Sequence, residues 1–252
     1  MVEDIEYILG KFFPKQSFNF NTIKQHCDRK TIFNHQSTIL KLFSKRFPTK
    51  NDKEDLFKKA KSIVYIDANP KYIFKEIVRF TSEHNIILPA YSTIQKLISK
   101  AIIVSEQELF ISLENLMDDD LTQNLKNLFK KESKFRYQLT LIKAPLQSFS
   151  KKQATTERKK QEQLEPIFKK AKVILKNLNI SNLSVKYFAE LVDRYTIWQL
   201  TKFNDTKRYF YILCFIHYRY IKINDDLTKT FLYFVDKYKN EVKAALDKKI
   251  LE

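Results

Sequence analysis

Asn85-Ile-Ile-Leu-Pro-Ala-Tyr-Ser-Thr-Ile-Gln-Lys-Leu97 is the stretch on which the reading of this chain turns. An amphipathic helix is expected before it, over residues 70–84, with Pro70 at the first helical position and Ile73, Phe74, Ile77 and Val78 as its core stripe. A second helix is expected after it, beginning near Thr93. Ser92 and Gln95 have capping-box spacing, in which each side chain satisfies a backbone donor at the helix start. The pattern is helix, turn, helix. It describes either an ordinary helical hairpin or a DNA-reading unit, in which Thr93, Gln95 and Lys96 would present to a major groove.

Working outward, composition narrows the class. The 252 residues contain a single glycine, Gly10, and six prolines. Phosphate-binding loops, dinucleotide turns and nucleophile elbows all need several glycines for close backbone approach, so those enzyme classes are set aside. Hairpin dipeptides are missing while Lys, Leu and Phe abound, which points to an all-α chain. The formal net charge is +17, from 46 basic and 29 acidic residues, which suits a polyanionic partner. AT-rich coding would also raise the lysine count. Cys27 and Cys214 lie far apart and outside any Cys-x-x-Cys pair, which suggests two reduced thiols in a cytoplasmic protein. The acidic N-terminus does not read as a signal peptide. The most apolar run, residues 209–216, is too short to span a bilayer.

Upstream, short helices are expected over residues 3–13 and 22–27, then a longer one from Thr31 to Phe43 with Ile32, Ile39, Leu42 and Phe43 near one face. The start of that helix gathers Arg29, Lys30, Thr31, Asn34, His35, Gln36 and Thr38, and no acid occurs between Asp28 and Asp52. Such a surface suits phosphate contact. Its amides and guanidinium are also the groups able to pair bidentately with base edges. Downstream, Leu56, Phe57, Ala60, Ile63 and Val64 repeat helical periodicity. A long helix runs from Thr93 towards Leu116, and Asp118, Asp119 and Asp120 read as the capped, acidic start of the next one. From Lys143 to Lys176 ten Lys or Arg stand against three Glu, and residues 150–163 lack a large apolar side chain. That stretch is either a solvent-facing linker helix or a basic surface lying on a nucleic-acid backbone. Beyond it, helices are expected over roughly 184–194, 196–203, 205–222 and 225–250, with Asn224, Asp225 and Asp226 capping the last. The aromatics of residues 209–220 read as a buried bundle helix, with base stacking as the other reading.

Chemistry is sparse. His26, His35, His84 and His217 are scattered. We find no zinc spacing, no nucleophile–base pair and no strand series to carry metal-binding acids, so no catalytic residue, metal ligand or cofactor is assigned.

The residues 70–77 (Pro-Lys-Tyr-Ile-Phe-Lys-Glu-Ile), 87–98 (Ile-Leu-Pro-Ala-Tyr-Ser-Thr-Ile-Gln-Lys-Leu-Ile) and 209–227, with its Tyr-Arg-Tyr-x-x-Ile-Asn-Asp segment, resemble the N-terminal region of Tn-three family transposases. The spacing of Thr31, His35 and Ile39 is similar to that family's Thr-x-x-x-His-x-x-x-Ile helix. Ser44 stands where the family usually has Gly, and an initial helical segment of the family pattern is not matched. The resemblance implies helix-turn-helix-like DNA-binding units followed by a helical bundle, which bind the terminal inverted repeats of a transposon in a bacterial, nucleoid-associated protein. It also implies that catalysis belongs to an RNase H-like domain with an acidic triad, which this chain lacks; a truncated product without enzymatic activity is expected. Expected units are 1–49, 50–148 and 149–252. The residues expected on DNA are Arg29, Lys30, Thr31, Asn34, His35, Gln36, Tyr91, Ser92, Thr93, Gln95, Lys96, Lys100, Lys151, Lys152, Arg158 and Lys159. The expected partners are double-stranded DNA and a second copy or a full-length transposase, with no membrane. The alternative function is a non-catalytic interaction module that pairs with an intact transposase and inhibits it.

Overall fold

The structure, a computed structural model, describes residues 29–133 and 136–251. The helices expected over 3–13 and 22–27, and Cys27, lie outside the described residues. The fold is all-α: α1 (Arg29–Leu42), α2 (Lys50–Val64), α3 (Pro70–Glu83), α4 (Tyr91–Glu114), α5 (Asp119–Asn127), α6 (Gln138–Lys143), α7 (Lys151–Asn177), α8 (Asn182–Arg194), α9 (Ile197–Thr201) and α10 (Asp205–Leu251). A minimal antiparallel hairpin, β1 (Lys131–Ser133) and β2 (Arg136–Tyr137), is inserted between α5 and α6. Among the described residues no helix is long and apolar enough to cross a membrane.

The chain forms two compact units, one of Met1–Pro48 with Thr81–Leu88 and one of Thr49–Phe80 with Pro89–Glu252. In the smaller unit two helix ends are closed in the same way. The amide of Lys45 donates to the carbonyl of Leu40 (2.7 Å) and that of Ser44 to Lys41 (3.0 Å). At the end of α3, Ile86 donates to Thr81 (2.9 Å) and Asn85 to Ser82 (3.2 Å). These are paired Schellman bonds, and they require a left-handed residue at the corner. Ser44 has φ 52° and Asn85 φ 54°. The two ends are then joined by a parallel bridge, Arg46 N–H to Asn85 O and Ile87 N–H to Arg46 O, each 2.9 Å. Within α1, Leu40 is buried and Phe33 stacks on Phe47 at 5.4 Å, whereas Ile32, Ile39, Leu42 and Phe43, expected inward, are exposed.

The larger unit has one continuous core from Leu56 to Ile223. Its centre is the first half of α10, where every residue from Tyr209 to Ile216 is buried. Phe188 of α8 meets Phe210 edge-on at 5.1 Å, and Phe168 of α7 stacks on Tyr220 at 4.0 Å. The aromatics of this segment are therefore core, and the base-stacking reading is set aside for them. α10 continues without a break through Asn224, Asp225 and Asp226. The expected cap does not form because two of those side chains are engaged along a continuous helix: Asn224 accepts from Gln161 of α7, and Asp226 lies 4.0 Å from Arg219, two turns earlier in α10 itself.

Two joints fix α2 and α4. Ser184, fully buried at the start of α8, accepts from the amide of Ala68 (2.9 Å) and donates to the carbonyl of Val64 (2.6 Å), holding the α2–α3 corner. Glu108 of α4 accepts from Lys61 (2.5 Å) and from the Tyr65 hydroxyl (3.0 Å). The Lys61 bond holds the Glu108 carboxyl below its usual range, and burial together with Glu108 pushes Tyr65 up to about 12. The acidic triplet behaves as expected at its first member: Asp118 caps α5 by accepting from the amide of Leu121 (2.6 Å). It also does what the sequence pattern did not indicate, since Lys170 of α7 reaches Asp118 (2.9 Å) and Asp120 (2.6 Å).

Candidate nucleic-acid interface

The helix that follows the opening stretch starts earlier than its side chains suggest. α4 begins at Tyr91, its N-cap is Ala90, and no side-chain bond caps it. Ser92 and Gln95 form no capping box, because Pro89 and the extended Ala90 already turn the chain into the helix before Ser92 is reached. The connection from α3, residues 84–90, is longer than the three- or four-residue turn of a compact helix-turn-helix. The helix α4 packs chiefly on is α2, not α3.

That pairing creates a lysine-lined surface on the larger unit. A cleft of about 620 Å³ runs between α2 and α4, lined by Lys50, Lys53, Glu54, Phe57, Lys58, Lys61, Lys96, Leu97 and Lys100. Phe57 and Leu97 lie among the lysines, and the Lys100 ammonium sits 5.3 Å from the Phe57 ring centre. Lys61 is neutralised by Glu108, and Lys58 is 3.5 Å from Asp55. Among the described residues, Lys50, Lys53, Lys96 and Lys100 have no ion pair. Four cations without ion pairs, with Glu54 as the one acid lining the same cleft, repel one another, and a bound polyanion would relieve that cost.

The expected readout residues divide between two sides of α4. Tyr91, Ser92, Thr93, Gln95, Lys96 and Lys100 are all exposed. Thr93, Lys96 and Lys100 share one row of the helix by their spacing, and the two lysines line the α2 cleft. Tyr91 and Gln95 instead line a second, less basic cleft of about 470 Å³ against Pro70, Lys71 and Phe74 of α3. In the smaller unit, Arg29, Lys30, Asn34, His35 and Gln36 are exposed along α1 and Thr31 is half-buried.

The basic stretch of α7 is built differently. Ser150 caps the helix by accepting from Gln153, and Lys151 and Lys152 are exposed in the first turn. Arg158 is tied to Glu162 at 3.0 Å, and exposed Lys159 lines two shallow clefts, one with Arg158 and Leu227, the other with Pro145 and Lys160. Glu157, in the middle of the run, is buried. It accepts from Lys160 (2.6 Å) and from Arg219 of α10 (3.2 Å), whose remaining donors reach the carbonyls of Ile142 (2.9 Å) and Ala144 (2.7 Å). The Tyr-Arg-Tyr segment thus supplies a structural cation, not a DNA contact.

Residues 1–101 match the family described as a domain of unknown function, DUF4158. No curated protein matches the chain. The matched span closes within α4, one residue beyond Lys100. It therefore contains every residue of the lysine cleft and the whole of α1, whereas α7 lies outside it.

Sequence reasoning missed Lys50 and Lys53. In the sequence they alternate with Asp52, Glu54 and Asp55 and look like an ordinary solvated face. Their position opposite Lys96 and Lys100 comes from α2 packing on α4.

Proposed function

We propose that this chain binds double-stranded DNA sequence-specifically, as the N-terminal part of a Tn-three-like transposase that recognises transposon terminal inverted repeats. The observation that carries the reading is the α2–α4 cleft, where four unpaired lysines frame one surface beside the exposed first turn of α4. Lysines without acidic partners are suited to displacing counterions from phosphates. Thr93, in the same row as Lys96, would probe base edges, with Gln95 on the flank. Support also comes from the motifs at 70–77, 87–98 and 209–227, and from the match of residues 1–101 to DUF4158, which is known as an N-terminal domain of Tn-three transposases. In this reading the chain holds and orients the DNA in the bacterial nucleoid, and strand cleavage belongs to a separate acidic-triad domain.

Fluorescence anisotropy with a duplex carrying a cognate transposon end, against a random duplex of equal length, tests the proposal. Tighter binding to the transposon end in moderate salt is expected, with steep weakening as salt rises. Equal affinity for both duplexes would remove the sequence-specific reading, and binding indifferent to salt would remove phosphate contact.

A further inference from the structure

The last part of α10 extends past the core with a regular apolar seam. Burial along the helix ends near Thr230. Beyond it Phe231 (66% exposed), Val235 (45%), Tyr238 (55%), Val242 (58%) and Leu246 (56%) face solvent. The first four are spaced by four, three and four residues, the alternation of a coiled-coil heptad, with the two valines at a and the two aromatics at d. Five large side chains about half exposed present on the order of 500 Å² of apolar surface, comparable to the largest patch of an ordinary monomer. A single helix carrying such a face in water has no packing to sustain it.

We infer that this seam pairs with the same seam of a second copy of the chain, in a parallel, in-register coiled coil. Three features select that occupant. Charge is the first. Residues 231–252 hold five lysines (237, 239, 243, 248 and 249) against four acids (236, 241, 247 and 252), a net charge of +1 in a chain of +17. Two copies can therefore approach here without the repulsion that the rest of the chain would impose. The second is the flanking positions. In a parallel pair each g residue meets the following e residue of its partner, giving Leu227 with Leu232, Phe234 with Lys239 and Glu241 with Leu246. No pair of like charges results. An antiparallel pair centred on Tyr238 would bring the two Lys239 side chains together. The third is β-branching: valine at successive a positions favours two parallel strands. The paired surface is smaller than the roughly 800 Å² per partner of a standard interface, so the dimer is reversible and concentration-dependent.

Sedimentation velocity on the full chain without DNA tests this, and because DNA is absent its failure leaves the DNA-binding proposal standing. The expected result is a mass that rises from the 30.2 kDa monomer towards twice that value as concentration increases through the micromolar range. The Val235→Glu/Val242→Glu double variant should remain monomeric. Both positions are exposed and lie outside the core, so its melting temperature should match that of the parent at concentrations where the parent is monomeric. A parent that stays monomeric throughout, or a double variant that dimerises equally well, would overturn the inference. Nitroxide labels placed separately at Lys229→Cys and Lys243→Cys, in a Cys27→Ser background, should each lie close to their own copy. Well-separated labels at either site would overturn the parallel register.

Discussion

Two basic helical surfaces differ in where the fold puts their acids. The cleft between α2 and α4 keeps four lysines without acidic partners. The first half of α7, from Lys151 to Lys160, has a greater local excess of positive charge; Lys151, Lys152 and Lys159 are exposed there, but its other two cations are held by acids. Glu157 is buried against Arg219 and Lys160, and Arg158 is engaged by Glu162. Local charge density thus does not identify the surface with free cations; the position of the acids in the fold does. The α7 ion pairs join α6, α7 and α10, and the cost of burying those charges is offset by five hydrogen bonds around them.

The largest test of this difference is Glu157→Ala. It leaves Arg219 buried without its carboxylate, and should destabilise the larger unit by about 3 kcal/mol or more, read from urea unfolding. If stability moved by only a few tenths, as for a surface pair, the contrast between the helices would fail. A second test compares two triple variants by the salt dependence of DNA binding. Lys53→Ala/Lys96→Ala/Lys100→Ala should lower the slope of log K against log salt by about 1 per lysine. Lys151→Ala/Lys152→Ala/Lys159→Ala should lower it less, and equal reductions would place α7 on the backbone as firmly as the cleft. Gln95→Ala probes the side of α4 away from the lysines. It should reduce discrimination between cognate and random duplex by about 1–3 kcal/mol with little change in random-duplex affinity. Unchanged discrimination would confine readout to the Thr93 row. The smallest effect is expected at Ser44→Gly, which relieves a left-handed serine and should stabilise the α1 end by about 1 kcal/mol, seen as slower amide exchange at Ser44 and Lys45. The same change at Asn85 should gain less, because asparagine tolerates that conformation better.

Much of the fold was legible because its signals are local. Pro70 starts α3, Asp118 caps α5, and the unbroken apolar run after Arg208 becomes the core of α10. Signals that depend on neighbours were misleading. Ser92 and Gln95 have capping spacing, but Pro89 and Ala90 begin the helix first. Asn224 and Asp226 look like a helix start, but Gln161 and Arg219 engage them within a continuous helix. Pro166, which would end an isolated helix, lies inside α7, where Leu164, Ile167, Ala171, Ile174 and Leu175 bury against the core and outweigh the lost backbone bond. Of the candidate interface, the α4 lysines were accessible to reasoning from helix position. Their α2 counterparts were not, because their acidic sequence neighbours concealed them.

Periodicity and composition by themselves determined that this protein is helical and strongly basic, since each is read within a few residues of the chain. Tertiary structure alone decided which charges remain free. Packing α2 on α4 gathered Lys50, Lys53, Lys96 and Lys100, while packing α7 on α10 buried Glu157 beside Arg219. The physical reason is that the state of a charge depends on the groups within a few ångströms of it, and those groups come from parts of the chain dozens of residues away.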